Sequence, residues 1–311
     1  MFARSPVRAR RVSAAAVTLA VSLALLAGAG RAEASDGGDS GRLVDVGGGR
    51  RVLLDCRGSG SPTVVLVSGT GGASDEWTHV ADAARPGAGL KPDPSAVLTT
   101  LARSTRVCAY DRPGTTRLDG RPNRSTPVHR PTTATAGAED LRAVLAAAGE
   151  RPPYVLVGAS WGAMIASLFA RTEPALTAGI VTVDGASPFL KETLTPAQWS
   201  AWTDRIRAMD QGQGLEAPDY PAAVREVRAA PALPAGLPAV VLTSDHPWDL
   251  GLGGRSTWPA WLAAQQRLAE DLHARHVTDT DSGHGIAVEQ PRRVVDAVRD
   301  VVERSRAGQE R

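Results

Sequence analysis

An α/β fold built on a doubly wound, mostly parallel sheet is predicted for this 311-residue chain by two observations. Short apolar runs such as "PTVVLVSG" and "TRVCAYD" carry the near-continuous hydrophobicity of strands buried on both faces, which central parallel strands require. These runs alternate with helix-like stretches, the order that lays helices on both sides of one sheet. The length admits one large domain or two ordinary ones, and the alternation favours one.

The elements follow in order. "RLVDV", a glycine turn and "RRVLLD" alternate apolar and polar residues as a β-hairpin does. The strand "PTVVLVSG" comes next, then "WTHVADAARP" and "GAGLKPDPSAVLTTLA", which read as helical crossover material with an insertion. The strand "TRVCAYD", the helix "AGAEDLRAVLAAAG", the strand "YVLVGA", a helix from Trp161 and the strand "AGIVTVDG" continue the pattern. From Ser187 to Leu237 the alternation breaks: "TPAQWSAWTDRIRAMD" and "YPAAVREVRAA" are helix-like, with no clear strand between them. It then resumes with "LPAVVLTSD", the helix "WPAWLAAQQRLAEDL", the strand "RHVTDTDS" and the closing helix "PRRVVDAVRDVVERS".

The amino terminus has a different character. Basic "MFARSPVRARR" precedes apolar "VSAAAVTLAVSLALLAGAG" and then "RAEAS", where Ala32 and Ala34 fit a small-x-small cleavage site. Residues 1–34 are therefore expected to be an export signal, 35–41 a flexible lead-in and 42–311 the folded domain. The apolar run approaches spanning length, but its Ala and Gly content and the AEA after it favour cleavage, so no lasting membrane anchor is expected. Arg10 and Arg11 form a twin-arginine pair, which leaves both the general and the twin-arginine export routes open.

Formal net charge is only +2, with four Arg in the first dozen residues, so the folded part has no basic face for nucleic acid. No cluster of Cys and His has metal-ligand spacing, and the glycines of "SGTGG" are not followed by the Lys-Ser/Thr of a phosphate loop. Neither metal nor cofactor is expected. The two cysteines, Cys56 and Cys108, both fall in strands, and residues alone leave a disulfide and two reduced core thiols open.

The stretch "YVLVGASWGAMIA" places Ser160 between Gly158 and Gly162 where a strand turns into a helix. Such a sharp turn lifts the serine hydroxyl above the sheet edge, and glycines allow the strand and helix backbones to approach. Backbone N–H groups at the helix start are also placed to stabilise negative charge. A serine needs a base to take its proton. Of the histidines that follow, His284 lies in the glycine-flanked loop "DSGHGIAVEQP" after the last strand and is the candidate. His79, His129, His246, His273 and His276 read as structural or solvated.

The chain resembles the α/β-hydrolase family through "VVLVSGTGG" with Trp77 downstream, "CAYDRPG", "PPYVLVGASWG", "IVTVDG" and "SGHGIAVEQP", in that order. The resemblance implies an eight-stranded, mostly parallel sheet whose second strand is antiparallel and neighbours the fourth, within disulfide reach for Cys56 and Cys108. It implies that the insertion at about 187–237 is a helical cap. It also implies an oxyanion hole from the backbone N–H groups of Thr70 and Trp161. Ser68 and Ala159 stand where the family often has histidines, and neither loss removes a backbone donor. Thr115 and Thr116 depart from the usual glycine-containing loop after "YDRPG", which Asp111 and Arg112 are expected to brace.

The third group must be a carboxylate that orients His284. Most of the family places it after the seventh strand, where Asp245 and Asp249 flank the usual position at Pro247. Some members place it after the sixth, where this chain has Asp184. All three aspartates stay open, whereas Asp279 and Asp281 are too near His284 in sequence. The expectation is a secreted serine esterase acting on a small-molecule ester through an acyl-enzyme on Ser160. An amidase, aminopeptidase or acyltransferase would use the same residues, and a non-catalytic ligand- or partner-binding protein would use the same fold. Leu194, Trp199, Trp202, Trp248, Trp258 and Trp261 would line an apolar pocket or simply pack.

Overall fold

Central strands of this chain are apolar on both faces because both are covered. In the computed structural model, which describes residues 41–309 except 83, 86–88, 129–130, 209–214 and 253, β3 (Thr63–Val67) is fully buried. Val65 and Val67 point into one core and Val64 and Leu66 into the other. The export signal, the lead-in up to residue 40 and His129 lie outside the described residues.

Eight strands form the sheet: β1 (Arg42–Gly47), β2 (Arg50–Arg57), β3, β4 (Val107–Tyr110), β5 (Tyr154–Ala159), β6 (Thr177–Val183), β7 (Ala239–Leu242) and β8 (Arg275–Val277). Their spatial order is β1-β2-β4-β3-β5-β6-β7-β8. Strand β2 runs antiparallel to β1 and β4, and the remaining pairings are parallel. Cys56 lies directly opposite Cys108 in the β2–β4 register, and the two form a disulfide.

Helices α1 (Val97–Leu101) and α9 (Pro291–Gln309) cover one face; Leu98, Val298 and Val301 pack there with Val155 and Val157 of β5. Helices α2 (Ala134–Ala148) and α3 (Trp161–Thr172) cover the other, where Leu141 and Ile165 meet Leu156. Thr133 caps α2 through a bond from the Ala136 N–H, and Gly149 closes it in the left-handed conformation. The insertion between β6 and β7 contains α4 (Leu190–Thr193), α5 (Pro196–Ala208) and α6 (Tyr220–Ala229). Helix α7 (Trp258–Asp271) precedes β8, and α8 (Ile286–Glu289) lies just before α9. Among the described residues no helix is long and apolar enough to cross a membrane.

The segment read as helical after β3 differs. Among its described residues Ser74–Thr78 winds as a 3-10 turn, His79–Ala81 pairs antiparallel with Leu90–Pro92 as a small β ribbon, and the expected helix is met only at its end, by α1. A run this short, broken by Pro and Gly, fits the period of either element, and pairing with the distant partner decides it.

Register aligns the carboxyl ends of the central strands. Val67 pairs with Gly158, Ala159 with Val183, and Val183 with Leu242. The loops that follow these strands therefore meet at one edge, where open α/β sheets bind ligands.

Candidate active site

Ser160 occupies the turn between β5 and α3 with φ of 46° and ψ of −119°, a strained backbone for a residue with a side chain. Close packing enforces it. A Cβ at Gly158 would come 2.5 Å from the Gly162 carbonyl oxygen, and one at Gly162 would come 2.1 Å from that of Val67. The strand, the turn and the helix thus nest only if both positions are glycine.

His284 Nε2 stands 3.1 Å from Ser160 Oγ, and Nδ1 stands 2.6 Å from Asp184 Oδ2. Asp184 is fully buried at the end of β6, and its Oδ1 accepts from the Ser244 N–H and the Trp261 indole, each at 3.0 Å. The Trp248 ring lies against the imidazole with centroids 4.1 Å apart, and Trp261 meets it edge-on. Every polar atom of this chain of three has a partner, and the imidazole is walled by rings.

The other aspartates are engaged elsewhere. Asp245 Oδ1 accepts from the Ser282 N–H at 2.9 Å, so it fastens the loop before His284 without touching the ring. Burial pushes its pKa up, but the backbone N–H donors outweigh this and hold it below the ordinary value. Asp249 Oδ1 accepts from the Thr257 N–H at 2.8 Å and the Thr257 hydroxyl. His79 bonds to Thr78 and the Asp75 carbonyl, His246 pairs with Asp281, and His276 bonds to Thr243. His273 closes α7 with a φ of 49°.

The turn Ser68–Gly71 after β3 faces Ser160 and is held from behind. Arg112 donates to the Ser68 and Gly69 carbonyl oxygens at 2.8 and 2.6 Å, and its guanidinium forms a two-pronged pair with Glu216 at 2.7 and 2.8 Å. Glu216 also accepts from the Gly71 N–H at 2.8 Å. Burial disfavours the Arg112 charge, but Glu216 beside it more than compensates and raises its pKa. Thr70 Oγ1 shares a hydrogen bond with the Tyr220 hydroxyl from α6, and burial drives that phenol's pKa well up. Two groups from the insertion therefore touch this turn.

A cavity of about 310 Å³ opens at Ser160 and His284, bounded also by Gly69, Glu76, Val183 and Val288. Trp199, Trp202 and Tyr220 of the insertion instead stack on one another and on Trp161 at the start of α3, with centroids 4.2 to 5.6 Å apart. Packing is their observed role.

A sequence model described as "Alpha/beta hydrolase family" matches residues 64–297. The chain belongs to the alpha/beta hydrolase family. No curated protein sequence matches it significantly. Among solved structures, an esterase from Thermogutta terrifontis is 19% identical with a TM-score of 0.56, the match covering 85% of this chain and 98% of that one. Est816, an N-acyl homoserine lactone degrading enzyme, is 18% identical with a TM-score of 0.54 over 83% and 99%. E-2-(acetamidomethylene)succinate hydrolase is 17% identical with a TM-score of 0.52 over 85% and 98%. At such identities the likeness is one of fold.

In this alpha/beta hydrolase several site groups have no local sequence signature. Glu289 accepts from the Ser282 hydroxyl at 2.7 Å and the Gly283 N–H at 2.8 Å, pinning the His284 loop. Its spacing of five after His284 on a short helix was the one available signal. Glu76 and Glu216 reach the site only through the fold, while Trp248 and Trp261, expected to line an apolar pocket or to pack, lie against the imidazole.

Proposed function

We propose that this protein is an exported serine hydrolase that cleaves carboxylic esters of small molecules. The observation that carries the reading is the 3.1 Å and 2.6 Å relay from Ser160 through His284 to Asp184, set on a strained elbow. In this reading His284 Nε2 takes the Ser160 proton as Oγ attacks the ester carbonyl, and Nδ1–H donates to Asp184, which steadies the imidazolium. The developing oxyanion is met by the backbone N–H groups of Trp161, at the first position of α3, and Thr70. Preorganised donors of this kind contribute roughly 10²- to 10³-fold each. His284 returns the proton to the departing alcohol, and water activated by the same imidazole releases the acid from Ser160. The Cys56–Cys108 disulfide supports an oxidising, extracytoplasmic setting after removal of residues 1–34.

Rapid mixing with p-nitrophenyl acetate and butyrate tests the chemistry. A burst of p-nitrophenol close to one equivalent, with a matching acyl mass on Ser160, is expected. Turnover without any acyl adduct, or no turnover by the folded protein, overturns the reading.

A further inference from the structure

The cavity at Ser160 is walled by Val183, Ala287 and Val288, with one acidic side chain among its lining residues, Glu76. It projects from the 3-10 turn Ser74–Thr78, and Oε1 accepts from the Gly69 N–H at 3.3 Å. Gly69 is also the residue against Ser160: a Cβ there would lie 3.2 Å from the Ser160 Cβ. The carboxyl and the serine hydroxyl thus approach the same glycine and open on the same space. Room for the second oxygen comes from Gly72, where a Cβ would sit 2.8 Å from Oε2.

The charge of this carboxyl is poorly compensated. Arg112 is the cation that acts on it, yet the guanidinium is already bound to Glu216 and to the Ser68 and Gly69 carbonyl oxygens. Glu76 has no ion pair of its own among the described residues. Burial is the largest influence on it and raises its pKa despite bonds from Ser68 and Gly69. A cation brought into the cavity would favour the ionised form, whereas a carboxylate would meet a second negative charge with Asp184 behind the histidine.

We propose that Glu76 is a specificity-determining residue that selects esters carrying an ammonium group close to the scissile bond. The inference rests on the serine-hydrolase reading and names its substrate class. The cavity volume limits the substrate part beside Ser160 to a short chain, and the carboxylate meets the ammonium at its end. Neutral isosteres of the same length fill the space without that pairing, and anionic ones are disfavoured.

Two matched ester pairs test this with wild type and Glu76→Gln. One is β-alanine ethyl ester against ethyl butyrate, which places the charge on the acyl side. The other is acetylcholine against 3,3-dimethylbutyl acetate, which places it on the alcohol side. The expected result is a kcat/KM ratio of roughly tenfold or more for the cationic member of at least one pair in wild type. In Glu76→Gln that ratio falls to within about threefold of unity. A wild type that prefers the neutral member of both pairs overturns the proposal even if the variant does not fold. So does a cationic preference that survives in folded Glu76→Gln. A wild type that labels Ser160 with a fluorophosphonate and turns over p-nitrophenyl acetate but hydrolyses none of the four esters overturns the selectivity alone; one that neither labels nor turns over p-nitrophenyl acetate overturns the hydrolase reading itself, and the selectivity with it.

Discussion

The Trp261 indole donates a 3.0 Å hydrogen bond to Asp184 Oδ1 at a carboxylate with no solvent exposure. With the Ser244 N–H on the same oxygen, it fixes the plane in which Oδ2 meets His284. Trp261→Phe keeps an aromatic ring but deletes the donor. Hydrogen bonds to charged groups contribute about 1.5–3 kcal/mol, so urea unfolding should show a loss of that order and kcat should fall with little change in KM. Asp184→Asn should lower kcat by roughly 10³- to 10⁴-fold, as loss of the orienting acid does in such relays. Asp245→Asn and Asp249→Asn should each change it by less than about tenfold. A larger effect at either would move the acid away from Asp184.

Arg112 and Glu216 join the insertion to the turn that faces Ser160. Glu216→Ala leaves a buried guanidinium unpaired, which typically costs about 3–5 kcal/mol, and frees the Gly71 N–H. Lower stability together with a drop in kcat, KM moving less, is the expected outcome of melts and ester kinetics. Unchanged kcat in a folded Glu216→Ala protein would mean that the turn holds its shape without the insertion.

The disulfide closes a loop between positions 52 residues apart. Chain-entropy reasoning assigns about 4 kcal/mol to such a crosslink, so Cys56→Ala with Cys108→Ala should lower the denaturation midpoint substantially. Thiol titration of the denatured, unreduced protein should find no free thiol and, after reduction, two.

Glu76 also predicts a pH dependence. Burial holds its carboxyl above the ordinary 4.5 in the folded chain, so just above that pH the folded state binds more protons than the unfolded one. The stability contributed by this group is fully present below about 4.5 and is lost as pH rises through the folded value. Glu76→Gln cannot titrate and escapes that loss. Its Tm relative to wild type should therefore climb with pH above 4.5. Asp111, whose pKa burial also raises, is present in both proteins and cancels in the difference. A Tm difference that shrinks with rising pH would contradict the assignment.

Much of the architecture is legible because its signals are local. The glycines around Ser160 and the glycine-flanked loop of His284 are short patterns at strand ends, and the doubly buried strands are readable from unbroken apolar runs. Which of Asp184, Asp245 and Asp249 contacts His284 is not legible at that level. It depends on the β6–β7 register and on which loop donors each carboxylate already accepts. Glu216 is equally silent, since its partner Arg112 lies 104 residues away and only the folded insertion brings them together. The ribbon at 79–81 was misread because three-residue strands carry too little periodicity to outweigh a neighbouring helical pattern.

The central claim is that Ser160 is an activated nucleophile, and covalent labelling of the folded, mature protein with a fluorophosphonate tests it most directly. The account predicts a single adduct on Ser160, absent in Ser160→Ala and strongly slowed in His284→Ala and Asp184→Asn, with Asp245→Asn and Asp249→Asn labelling near the wild-type rate. A folded wild type that takes no label, or a Ser160→Ala variant that labels as fast, would contradict it.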